Sequence, residues 1–232
     1  MRRFFLLAIV LMVPIQSALA DVSWYVGAGG TITRLRTSDF VSTSGLNDGL
    51  GLNDTASSGE FSDSSLGAQV FAGVRFNENF ALVVKYSATD DGEDNWTGST
   101  NKDKDGDPIT PERSRRNYDF DGEASIDGIT IYLVQTLPLS NDMEFSLEVG
   151  WTDQDIDFDW NSSRISGPPD PDGDDFSGSI SDDDSGFAVG GILRYRFTEH
   201  WAISGELEWL AIDFGDVMEK PLRFGLNAEY SF

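Results

Sequence analysis

The sequence predicts an all-β fold: an eight-stranded antiparallel transmembrane β-barrel wound as an up-and-down meander. Three observations predict it. Residues 222–232 alternate strictly, with Leu222, Phe224, Leu226, Ala228, Tyr230 and Phe232 on one face and Arg223, Gly225, Asn227, Glu229 and Ser231 on the other. A period of two marks a strand with one apolar and one polar side, and about nine to eleven such residues, tilted, cross a hydrocarbon layer. The chain also opens on an export signal, and its strands are joined by long and short connections in turn.

The export signal occupies residues 1–20. Arg2 and Arg3 form a basic start, residues 4–13 an apolar core, and Ala18-Leu19-Ala20 a small-residue cleavage site before Asp21. This is the pattern of a secretory signal peptide and is set apart from the fold. The twin arginines partly match the twin-arginine pattern, but the strongly apolar core favours the general secretory route. No later stretch is long and apolar enough for a membrane helix. Without residues 1–20 the formal charge moves from −24 to −26, which excludes a basic nucleic-acid-binding surface. There is no cysteine, so no disulfide or thiolate metal site.

The domain, residues 21–232, then reads as eight strands. In residues 24–33, Trp24, Val26, Ala28, Gly30 and Ile32 share a face. A long Ser/Gly/Asn/Asp-rich loop, about 38–65, leads to the second strand, where Leu66, Ala68, Val70, Ala72, Val74 and Phe76 point out and Arg75 points in. Asn77-Glu78-Asn79 turns the chain into a third strand with Phe80, Leu82, Val84 and Tyr86 out and Lys85 in. A second long loop, about 90–119, precedes Ile129, Ile131, Leu133 and Leu137 of the fourth strand. After a short connection at 138–142, Phe145, Leu147, Val149 and Trp151 alternate with Ser146, Glu148 and Gly150. Beyond Trp151 the alternation slips, because Ile156, Phe158 and Trp160 fall at even positions. A β-bulge, or a strand leaving the membrane, would do this. A third loop, about 161–185, leads to the sixth strand, with Phe187, Val189, Leu193, Tyr195 and Phe197 out and Arg194 and Arg196 in. Thr198-Glu199-His200 turns into the seventh, with Glu206 and Glu208 in, and a fourth loop at about 215–221 precedes the last strand. Long loops at one end and tight turns at the other mark a barrel of the outer membrane, and an even strand count puts both termini on the periplasmic side. Aromatic residues beside the short turns, among them Trp24, Phe80, Phe197, Trp201 and Phe232, suit an interfacial girdle.

The inward positions collect Arg75, Lys85, Arg194, Arg196 and Arg223 against Glu148, Glu206, Glu208 and Glu229. Such near-neutrality in a very acidic chain predicts a ladder of ion pairs, with Arg194 and Arg196 one hairpin away from Glu206 and Glu208. The lumen then reads as a packed plug in preference to a polar conduit. The single histidine, His200, sits in a turn and Ser204 points into the lumen, so no nucleophile–base pair is expected and no enzyme. One loop pattern bears on metals: Asn101, Asp103 and Asp105, then Gly106, Asp107 and Glu112 follow the spacing of an EF-hand calcium loop. Asn at the first position and Pro108 at the eighth depart from it, and the other reading is a solvated Asp/Gly turn cluster. No other cofactor is expected.

The run 224–232, the Arg194-Tyr195-Arg196-Phe197-Thr198-Glu199-His200-Trp201 turn and Phe76-Asn77-Glu78-Asn79-Phe80 together resemble the small eight-stranded outer-membrane β-barrels of the OmpA/OmpX/opacity-like, porin-like group. The resemblance implies insertion by the β-barrel assembly machinery, with Phe224, Leu226, Tyr230 and Phe232 as the C-terminal signal. It implies outer-membrane lipid and lipopolysaccharide as partners, and a monomer. The OmpA-type peptidoglycan-binding domain has no counterpart before Phe232. The functional expectation is a structural or surface-interaction protein with acidic external loops and an unidentified surface ligand. The alternatives are a narrow channel for small solutes or ions and, last, a lipid-modifying barrel enzyme.

Overall fold

The structure is a computed structural model and describes residues 22–36, 62–100, 116–167, 176–212 and 220–232. The signal peptide, the calcium-loop residues Asn101 to Glu112 and most of the first loop lie outside the described residues.

Among the described residues nine antiparallel strands follow the chain: β1 (Ser23–Arg36), β2 (Ser62–Arg75), β3 (Phe80–Thr89), β4 (Gly92–Thr100), β5 (Arg116–Pro138), β6 (Met143–Ser166), β7 (Phe176–Arg196), β8 (Trp201–Ala211) and β9 (Leu222–Ser231). Consecutive strands pair except β3 and β4, which both pair with β5, and β9 pairs back onto β1 with Ala228 opposite Ala28, so the sheet closes in a ring. Closure removes the open edges that hydrocarbon would leave without hydrogen-bond partners.

The expected eight staves become nine strands through one interruption. β3 pairs with the second half of β5, from Phe80 opposite Gln135 to Ala88 opposite Asp127, and β4 pairs with the first half, from Gly92 opposite Ala124. Four steps from Ala88 to Gly92 face three from Asp127 to Ala124, so β3 and β4 are one stave broken by a bulge at Asp90 and Asp91. The break is held on both sides. Asp90 N–H donates to Leu66 O at 2.6 Å, and Ile126 N–H donates to Thr89 Oγ1 at 2.9 Å.

The three short turns share one device. In each, a polar side chain at or near the start of the turn accepts backbone N–H groups that the strands leave unpaired. Asn77 Oδ1 accepts from Asn79 and Phe80 at 2.8 and 2.9 Å, Ser140 Oγ from Met143 at 3.1 Å, and Thr198 Oγ1 from Trp201 at 2.9 Å.

Three of the expected loops are shorter than the sequence suggested. The first, 38–65, contains the start of β2, the second, 90–119, contains β4 and the start of β5, and the third, 161–185, contains the end of β6 and the first ten residues of β7. The slip beyond Trp151 explains why. β6 runs from Met143 to Ser166 and pairs with β7 without a break from Met143 to Ser162. No bulge lies at the slip; the strand stays regular and its polarity inverts. Up to Trp151 apolar side chains face out, and beyond it Asp153, Asp155, Asp157 and Asp159 are exposed while Ile156, Phe158 and Trp160 are buried. β5 inverts at the same level, between Ile129, which is outward, and Ile126, which is buried. Within a bilayer the apolar side of a barrel faces lipid, and in water it must turn inward.

The ring therefore has two parts. Near the short turns the outer face is an apolar band that includes Val26, Leu82, Ile131, Leu147, Leu193, Ile203 and Leu226, each 40 % exposed or more. So large an exposed apolar surface belongs against lipid. Toward the long loops the interior holds an apolar core of Leu35, Tyr118, Phe120, Ala124, Ile126, Ile156, Phe158, Trp160, Leu210 and Ile212.

Candidate functional site

Inward positions of the apolar band carry charge because β-strand parity puts every second residue into the lumen. The structure brings all nine charged residues expected there together in two adjoining ion-pair clusters, and adds a tenth, Glu144. Glu144 balances the set at five cations and five anions. Sequence alone hides it, because the apolar alternation begins at Phe145 and Glu144 falls beside the turn. Its even number, shared with inward Ser146 and Glu148, was the available signal.

The network is built in three layers. Nearest the short turns, Glu144 accepts from Arg194 at 3.2 Å, pairs with Arg75 at 3.6 Å, and is in contact with Arg196. Arg194 also donates through Nε to Glu229 at 2.7 Å. The Tyr25 ring lies between the guanidinium groups of Arg75 and Arg194, at 5.6 and 5.5 Å, a pair of cation–π contacts.

In the middle layer Lys85, fully buried, faces three carboxylates. Its ammonium is 3.1 Å from both oxygens of Glu206, 3.7 Å from Glu148 and 3.9 Å from Glu208. The Tyr132 ring closes over it at 4.8 Å. Gln69 donates to Glu206 at 2.7 Å and Asn227 donates to it at 3.2 Å. Gly225 makes room for this group, since a Cβ there would sit 2.8 Å from Glu206 Cγ.

In the third layer Arg223 pairs with Glu208 at 3.1 Å and donates to Thr33 at 3.2 Å and Gln154 at 3.4 Å. A chain of polar side chains continues from Gln154 to Thr152 at 2.8 Å and on to Thr130 at 2.9 Å. Immediately beyond lies the apolar core.

The expected pairing within the β7–β8 hairpin is not the one formed. Arg194 lies opposite Ser204 and Arg196 opposite Ala202, whereas Glu206 and Glu208 lie opposite Ile192 and Gly190. The arginines are one layer closer to the turn than the glutamates, and the closed lumen supplies partners from across the ring instead. Gln69, Asn227, Tyr25 and Tyr132 fall on inward positions by parity, but a neutral side chain gives no sign in sequence of which charge it will meet.

The space left between these groups is small. A cavity of about 10 Å³ is lined by Tyr25, Phe71, Val83, Lys85, Glu148, Ile192, Arg194 and Glu206, about room for one water. Both oxygens of Glu148 lack a hydrogen-bond partner among the described residues and face this group.

Outside the lumen, His200 Nδ1 is 2.9 Å from Ser231 O and its ring stacks on Tyr230 at 5.6 Å. Ser204 is buried inside, away from it. Phe224 and Leu226 face outward, and Phe232 N–H donates to Trp24 O at 2.9 Å where the ring closes. Beyond the apolar band the outer wall is acidic, with like charges directly opposite one another. Asp127, Asp155 and Asp183 form one cross-strand row, and Glu93, Glu123 and Asp159 another. The Asp155 carboxyl is raised above the usual carboxylate range by desolvation and by Asp127, Asp183, Asp153 and Asp157. Among the described residues no group of three or more His, Cys, Asp or Glu side chains is arranged to hold a metal ion.

Comparison with known proteins places this architecture. The chain is similar to Ail, the attachment invasion locus protein of Yersinia pestis, at 14 % identity and a TM-score of 0.50, over 91 % of this chain and 99 % of that one. It is similar to OprG of Pseudomonas aeruginosa at 13 % identity and a TM-score of 0.48, over 90 % and 96 % of the two chains. No curated protein matches the sequence. The family described as outer membrane protein beta-barrel domain matches residues 4–232, and the chain belongs to it.

Proposed function

We propose that the protein is a non-enzymatic barrel with a structural or surface-interaction role, presenting an acidic β-walled projection to the outside through a closed lumen. The short turns and both termini face the periplasm in this reading. The observation that carries it is the inversion of polarity along β5 and β6. It leaves a water-exposed section with its own apolar core, and that core stands over the ion network like a stopper. A solute would have to pass a neutral, paired charge layer and then a dry apolar section. In planar bilayers the protein is therefore expected to give no steady conductance. Steady openings that vanish when Arg194 and Glu206 are substituted would establish the channel in its place.

Assembly is the second part of the reading. The alternating run that ends on Tyr230 and Phe232 serves as the signal for the barrel assembly machinery, and Phe232 also fastens the seam to Trp24. Deleting Phe232 should slow membrane insertion several-fold, read as a delayed heat-modifiable gel shift in pulse-labelled cells. Insertion at the normal rate would refute this role.

A further inference from the structure

The outer wall carries two poles of opposite charge. Just beyond the apolar band, the outward positions of β5, β6 and β7 hold Asp127, Asp153, Asp155 and Asp183. None of these carboxylates has a cation partner among the described residues. Asp127, Asp155 and Asp183 stand directly opposite one another, an arrangement that costs the sheet stability. On the other side of the ring the first charged outward residue past the band is Arg34 on β1 and Lys220 at the entry to β9, both exposed. Lys220 lies over the Trp209 ring at 6.0 Å, and neither cation forms an ion pair among the described residues.

The poles face opposite ways at one height. With β3 and β4 counted as one stave, β2 and β3 separate the β9–β1 seam from the β5–β6 pair on one side, and β7 and β8 on the other. Each charge is the next outward position after the last lipid-facing residue of its strand. Ile32 precedes Arg34 and Trp151 precedes Asp153, while Leu222 follows Lys220 and Ile129 follows Asp127. The bands below differ in relief. At the seam Ala28 faces Ala228, with Gly30 beside them, and the wall is shallow. Below the acidic pole Ile131, Val149 and Trp151 stand out from it.

The partner whose charge fits both poles is a second copy of this chain. Every copy rests at the same depth, because the same apolar band sets it, so the seam of one meets the acidic pole of another without tilting. Salt screens the mutual repulsion of two acidic barrels beyond about 8 Å, and the charges at the contact then decide. Two acidic arcs repel, and unlike charges meet only where a seam faces an acidic pole. We propose that copies of this chain associate head to tail in the membrane plane, the Arg34 and Lys220 seam of one against the Asp127, Asp153 and Asp155 pole of the next. The contact is heterologous and leaves one pole of each copy free. Since the poles are opposite, the assembly extends as an open row, in place of the monomer that the resemblance implies. The contact is the same whichever end of the barrel faces out.

The chain has no cysteine, so single serine-to-cysteine variants report the contact without altering its charges. Ser64 is exposed opposite Arg34, and Ser185 is exposed opposite Asp153. Full chains carrying Ser64→Cys or Ser185→Cys, told apart by an affinity tag, would be refolded together into phosphatidylcholine vesicles and treated with a short membrane-impermeant bismaleimide. Cross-links between the two variants should exceed those within either one by about fivefold after correction for random pairing, as two screened surface ion pairs allow. The excess should vanish in about 0.5 M salt and when R34Q/K220Q is introduced into the Ser64→Cys chain, whose heat-modifiable shift shows that it is folded. In a second arm, R34E/K220E should lose the link to an unaltered acidic pole and regain it against D127K/D155K. Yields at the random ratio overturn the contact, as does an excess of links between two Ser64→Cys chains. A link indifferent to both salt and charge reversal overturns it as well.

Discussion

Replacing Lys85 with Met will destabilise the folded barrel by about 3–5 kcal/mol, the cost of leaving buried charge without its counter-ion. Met keeps most of the volume, so the loss is electrostatic. Lys85 is the group around which Glu148, Glu206 and Glu208 are gathered, and among the described residues only Glu208 has a second cation within ion-pair distance, Arg223. Urea unfolding in phospholipid vesicles, followed by tryptophan fluorescence and the heat-modifiable gel shift, measures the change. The companion variant K85M/E206Q removes one of the stranded carboxylates and should recover part of the stability, a coupling that a double-mutant cycle reads directly. A K85M barrel as stable as the wild type would mean that the three glutamates do not depend on this ammonium, and the layered account of the lumen would fall.

Replacing Phe158 with Ala will cost about 3–5 kcal/mol, as for other large-to-small changes in a packed core, and the loss will be local. Phe158 is fully buried and stacks on Trp160 at 5.8 Å in the section beyond the apolar band. Amide exchange should accelerate in residues 116–126 of β5 and 154–166 of β6, while the lipid-facing halves of both strands keep their protection. The control is Phe224→Ala on the lipid side. There the ring leaves one apolar medium for another, so the change should be much smaller. Equal effects at the two positions would contradict the division of the barrel into a lipid-facing and a water-facing part.

The contrast between these two phenylalanines also explains what could be read from the sequence. Inside the bilayer the outward residues are uncharged, and Gln135 is the polar one among them on β5, so Leu222 to Phe232 and its counterparts announce themselves as strands over nearly a crossing. Past the bilayer the same strands continue with the opposite polarity, and the Asp residues of 153–159 look like loop composition although their neighbours Ile156, Phe158 and Trp160 keep the period of two. Residues 116–119 and 176–185 read as loop composition for the same reason. The bulge at Asp90 and Asp91 hides β4 further, because one extra residue shifts the outward positions from even Ala88 to odd Glu93. The lumen was legible by parity and its pairing was not. Which layer a side chain reaches depends on how far its strand is staggered around the closed ring, and no local pattern records that. Glu206 and Lys85 are 121 positions apart and meet only because the ring closes.

The level at which β5 and β6 exchange their apolar and polar sides acts as a waterline built into the chain. Sinking the barrel by two residues would carry Asp127 and Asp153 into hydrocarbon, and raising it by as much would lift Ile129, Trp151 and Phe187 into water. Both displacements are opposed at once on several staves, so immersion depth is a property of the sequence and the host bilayer must adjust its thickness to it. The height to which the acidic projection stands above the cell surface is then fixed as well, and whatever approaches that surface meets it at a set distance from the lipid.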